Sequence, residues 1–169
     1  MAGSKNAQVT ASKMLAVLQA GWDAKVAAIN ATYDDGIALL SPDGWFQAPQ
    51  RAYGQALSVV VVAAPMERDY RGSERINGQS VLVGLVVGGN EAVGDYSPQE
   101  VVTIILWRYA EAVCEIIEAN NRLTLSSVDW ADEALVTSFE PSVQAADDTE
   151  PGYEQRMLIT VLLITSEND

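Results

Sequence analysis

The sequence predicts an α+β domain: a mostly antiparallel four-stranded sheet, two main helices packed on one of its faces, and a long inter-strand loop. Three observations predict it. An apolar stripe at three- and four-residue spacing marks an early helix. A capping signature opens a second helix in mid-chain. Apolar, valine-rich runs of strand length lie between and after these helices.

The first helix is expected from Ser12 to Tyr33, where Met14, Leu15, Leu18, Trp22, Val26, Ile29 and Tyr33 form one stripe. Ala16, Ala20, Ala24, Ala27 and Ala31, strong helix formers, occupy the other side. Lys25 projects onto the apolar arc, so its ammonium must snorkel outward or the helix must bend at Gly21. Asp34-Asp35-Gly36 ends the element. Residues 36–56 read as irregular, with a turn at Ser41-Pro42-Asp43-Gly44 followed by Trp45 and Phe46.

Leu57 to Ala64, bounded by Pro65, reads as a buried strand, and Ser80 to Val87 as its antiparallel partner. Their connection, PMERDYRGSERINGQ, is fifteen residues and exceeds what a hairpin needs, so it is expected to be a loop. Ser97-Pro98-Gln99-Glu100 supplies an N-cap, a first-turn proline and a capping box, and the helix runs to Ala119 before Asn120-Asn121. Strands at Ala134–Val143 and Tyr153–Thr165 follow, separated by the acidic QAADDTEPG. The last strand is apolar on both faces, a pattern that fits a central strand or one covered by a helix on one side and a partner on the other. Residues 1–169 form a single domain, with 1–10 and 166–169 expected to be disordered ends.

Composition narrows the function. A hydrophobic fraction of 49% with 20% charged residues fits a globular core, and no apolar run is long enough to span a bilayer. Neither a signal peptide nor an internal disulfide is supported, since Cys114 is the single cysteine. The chain contains no histidine, which removes the usual general base and zinc ligand; no enzyme activity, metal or cofactor is expected. The net charge is −13, and residues 1–84 hold seven basic and seven acidic side chains. The acidic excess therefore sits wholly in residues 85–169, where it repels nucleic-acid phosphates and anionic membranes.

Gly84 to Asn90 lacks the lysine and hydroxyl residue of a phosphate loop and reads as a strand end. Glu111, Glu115 and Glu118 share one side of the second helix and read as a solvated face; a carboxylate-only enzyme is the rival reading. Ile104 and Trp107 fall among those glutamates, opposite the core face formed by Val101, Val102, Ile105, Leu106, Tyr109, Ala112, Val113, Ile116 and Ile117. They mark either an interface or a site covered by the chain itself. Arg68, Tyr70, Arg71 and Arg75, interleaved with Glu67, Asp69 and Glu74, suit docking onto an acidic surface such as a neighbouring copy. Asp147, Asp148 and Glu150 are acidic counterparts. A pocket between helix and sheet near Trp22 and Trp45 would instead make the chain a small binding or regulatory module.

The order of these elements, the helix DYSPQEVVTIILWRYAEAVCEIIEAN and the closing strand RMLITVLLIT resemble tail-terminator and neck proteins of tailed phages, over Ser12 to Thr165. Tyr109, Ala112, Val113, Ile116 and Ile117 look like the helix pattern of that family. The resemblance implies a structural, non-enzymatic virion subunit, assembled in the host cytoplasm into a homo-oligomeric, hexameric ring. Such a ring caps the tail tube, contacts the tail-tube and head-connector proteins, and lets DNA pass without specific binding. An acidic wall facing the lumen would keep the genome from sticking.

Overall fold

The computed structural model describes residues 7–48, 57–71, 74–143 and 153–168. Its elements are α1 (Ala7–Thr32), β1 (Gly44–Phe46), β2 (Leu57–Arg71), β3 (Glu74–Gly89), α2 (Pro98–Ala119), β4 (Glu133–Val143) and β5 (Tyr153–Asn168). The strands form one five-stranded sheet in the order β1-β2-β3-β5-β4. The fold class is α+β as expected, but the sheet is mixed: β1 pairs parallel with β2 through Gly44–Ser58, Trp45–Val59 and Phe46–Val60. Three residues carry no periodicity of their own, so β1 reads as irregular in the sequence.

The largest departure is the expected long loop. β2 continues to Arg71 and β3 begins at Glu74, with Arg68 opposite Asn77, Tyr70 opposite Arg75 and Arg71 opposite Glu74. β5 runs alongside to Asn168, opposite Glu74, so this ribbon is three strands wide. From the level of Leu163 onward its other buried positions are polar (Gln79, Asn77 and Thr165), so the stretch lacks apolar alternation and reads as a loop in the sequence. A register shift between Ala63 and Met66 accommodates Pro65, which lacks a ladder donor. The termini differ too: residues 7–10 are helical and residues 166–168 are strand, both within segments expected to be disordered.

Both helices cover one face of the sheet. Met14, Leu18 and Trp22 of α1 and Leu106, Val113 and Ile117 of α2 meet Val59, Val83, Leu85, Met157, Ile159 and Leu163, all essentially inaccessible. Trp22 is edge-on to Trp45, with ring centroids 5.1 Å apart, and stacks on Tyr109 at 5.6 Å. Aromatic rings fill the space between Trp22 and Trp45, leaving Trp22 1% exposed. Gly21 lies where α1 crosses α2: a Cβ there would meet Ile116 Cγ2 at 2.9 Å, so the helices approach because this position has no side chain. Lys25 escapes the apolar arc by reaching Glu115 at 2.7 Å.

The chain after α1 is fastened to both helices by side chains that imitate a strand partner. Asn30 donates from Nδ2 to the Leu39 carbonyl (3.0 Å) and accepts from the Leu39 amide (2.7 Å). The Tyr109 hydroxyl donates to the Leu40 carbonyl (2.7 Å) and accepts from the Leu40 amide (2.9 Å). Burial pushes that phenol up to about 12, so it stays neutral and remains a donor. Tyr109→Phe orphans both part-buried backbone groups and is expected to cost about 1–3 kcal/mol, read from urea denaturation.

Candidate functional site

α2 opens on the capping box that its sequence spells. The Ser97 Oγ accepts from the Glu100 amide, and the Glu100 carboxylate accepts from the Ser97 amide at 2.8 Å. The hydrogen bonds from Ser97 hold the Glu100 carboxyl below its usual range. Val101, Val102, Leu106, Tyr109, Ala112, Val113, Ile116 and Ile117 are buried as expected, while Ile105 is partly buried.

On the outward side, Trp107 is 48% exposed and Ile104 half-buried. Trp107 is not isolated. Phe139 of β4 lies 6.5 Å away, and the two rings with Ile104, Thr103 and Tyr33 line a groove of about 510 Å³. The chain therefore covers one side of Trp107 with a strand and leaves the other open.

Beneath this groove lies Arg108, which the helical pattern alone does not single out. It is 7% exposed, donates from Nη1 to the Ile37 carbonyl at 2.7 Å, and forms an ion pair with Asp35. The Tyr33 ring packs over its guanidinium at 4.1 Å. Hydrogen bonding from Arg108 holds the Asp35 carboxyl below the usual carboxylate range. The charge of Glu111, which accepts from the Tyr33 hydroxyl at 3.2 Å, pushes that phenol up. The three helix glutamates divide: Glu111 holds Tyr33, Glu115 holds Lys25, and Glu118 is exposed.

The structure does not bring the other expected residues to this groove. Arg68, Tyr70 and Arg71 end β2, and Arg75 opens β3. Phe139 is level with Ile159, Val83 and Val61, so Arg71 lies ten strand residues farther, roughly 30 Å away. Asp147, Asp148 and Glu150 lie outside the described residues.

A second surface is the sheet face opposite the helices. Leu158, Leu162 and Ile164 of β5, Val60 and Val62 of β2, Leu82 of β3 and Leu135 of β4 alternate with the core residues and share this face. Among the described residues no helix covers it; Leu135 and Leu158 are 41% and 36% exposed, whereas Ser58, Val60 and Val86 on the same face are buried. The doubly apolar pattern of β5 was its signal in the sequence. No known family matches the chain, and no characterised protein matches it in sequence.

Proposed function

We propose that this protein is a structural assembly subunit that works by packing against copies of itself and against other proteins. The observation that carries the reading is the sheet face opposite the helices, which exposes Leu135 and Leu158. Aliphatic side chains on all four long strands share that face, and burying each exposed one is worth about 1.5–3 kcal/mol. Contiguous patches of this kind mark interaction surfaces. The Trp107–Phe139 groove gives the subunit a second, separate apolar contact.

Within that class, the resemblance to tail-terminator and neck proteins supplies the particular role: a hexameric ring in the virion, capping the tail tube and joining it to the head connector. The order helix, hairpin, helix, two strands supports this, as does an acidic surface that lets DNA pass without binding. Sedimentation velocity and negative-stain electron microscopy test it, with the protein alone and mixed with tail-tube subunits. Closed rings are the expected result; a monomer in both samples overturns the reading. Leu135→Glu with Leu158→Glu places two carboxylates on the sheet face opposite the helices and is expected to lower the oligomeric state while leaving the circular dichroism spectrum unchanged.

A further inference from the structure

We infer that the ribbon end of β2 and β3 docks in the Trp107–Phe139 groove of a neighbouring copy, head to tail. The inference rests on the assembly reading and names one contact between its subunits.

The groove is apolar in its middle and acidic at both ends. Past Thr103 and Ile104 it continues to Tyr96 and Glu100. Glu100, Ile104, Trp107 and Glu111 thus follow one another along the outward side of α2 at four-, three- and four-residue spacing. The rise of the helix sets the two carboxylates about 16 Å apart. Among the described residues neither forms an ion pair: Glu100 accepts from Ser97, and Glu111 accepts from Tyr33. Arg108, which also lines the groove, is already held by Asp35. Between the acidic ends Trp107 is 48% and Phe139 39% exposed, an adjoining aromatic pair left open to a partner.

The matching cations stand on the ribbon. Lys25, Arg108, Arg122 and Arg156 pair with Glu115, Asp35, Asp129 and Glu154, and Lys13 lies over the Trp130 ring at 4.3 Å. Arg68, Arg71 and Arg75 are instead roughly 20–30 Å along the strands from the level of Phe139, too far to reach the groove of their own subunit. The register also sorts the ribbon by face. The shift between Ala63 and Met66 sets Arg68 level with Asn77 and Tyr70 level with Arg75. Arg68, Tyr70 and Arg75 therefore take the face that continues from buried Gln79 and Asn77, with Glu167 level with Arg75. Glu67, Asp69, Arg71 and Glu74 take the other. Charges that cancel along the sequence are thereby divided between two faces, and the one with two arginines and a tyrosine complements an acidic, tryptophan-bearing groove. Arginine, tyrosine and tryptophan are also the residue types that carry most interface energy. The contact joins two different surfaces, as a ring requires, whereas a self-complementary one closes after two copies.

Two variants and their mixture are the test. Trp107→Glu disables the groove and leaves the ribbon intact; Arg68→Glu/Arg75→Glu disables the ribbon and leaves the groove. Both are expected to keep the wild-type circular dichroism spectrum, with Trp107→Ala and Arg68→Gln/Arg75→Gln as milder replacements for a variant that loses it. Each alone is expected to associate at least about 30-fold more weakly than the wild type in sedimentation velocity. Mixed in equal amounts, the two supply one intact ribbon and one intact groove. They are expected to form a 1:1 pair that grows no further, because the free ends of the pair are the disabled ones. If either variant associates like the wild type, this contact is wrong and assembly proceeds through another surface. The same follows if the mixture forms no pair, or if it grows into rings. A wild type that stays monomeric at every concentration overturns the assembly reading itself.

Discussion

Trp22→Ala is expected to lower the unfolding free energy by about 3–5 kcal/mol, among the largest effects of any single substitution in this protein. Trp22 stands where α1, α2 and the sheet converge, 1% exposed, edge-on to Trp45 and stacked on Tyr109. Removing the indole leaves a void that those two rings cannot close, because Tyr109 is tied to Leu40 by both hydrogen bonds of its hydroxyl. Trp22→Phe separates volume from polarity. The indole Nε1 is buried without a hydrogen-bond partner, so phenylalanine removes an orphaned donor while leaving a smaller cavity. The two effects oppose, and the expected loss is below about 2 kcal/mol. Urea denaturation of both variants checks this; equal losses would show that the void contributes nothing.

Arg108→Ala is expected to cost about 3 kcal/mol, since a buried cation with specific partners leaves them unpaired when it is removed. The Ile37 carbonyl loses its donor, Asp35 its counter-ion and the Tyr33 ring the group beneath it. The same cluster sets an acid response. Asp35 is held below its ordinary value when folded, chiefly by its hydrogen bond with Arg108, so the unfolded chain takes up its proton first as pH falls. Its contribution is complete above the usual carboxylate range and is lost as pH drops through the lowered folded value. Glu100 acts in the same direction through Ser97. Thermal melts across the acidic range should show stability falling below about pH 4, with a shallower fall in Asp35→Asn and in Glu100→Gln. A wild-type profile that is flat in acid would contradict the assignment of both carboxylates.

Both clusters show where sequence reasoning stops. α2 was legible almost residue by residue, because Ser97, Pro98 and Glu100 act within one helical turn and the apolar face repeats at helical spacing. Arg108 was not, since its partners Asp35 and Ile37 lie more than seventy residues away, and a buried arginine has no periodic signature. The 65–79 segment was misread for the opposite reason. Its polarity suits a loop, but the backbone ladder of a three-stranded ribbon forms whatever the side chains, and the core-facing positions here are the buried polar residues Asn77, Gln79 and Thr165.

The sequence by itself determined the α+β class, the boundaries of α2, the absence of histidine chemistry and the two-faced apolarity of β5, because each depends on composition or on contacts within a few residues. Only the tertiary structure decided that β1 joins as a parallel edge, that Trp107 meets Phe139, and that both helices lie on one face of the sheet. Those depend on which distant strands become neighbours. Gly84 of β3 and Leu158 of β5 are more than seventy positions apart and become neighbours only because the register sets them side by side.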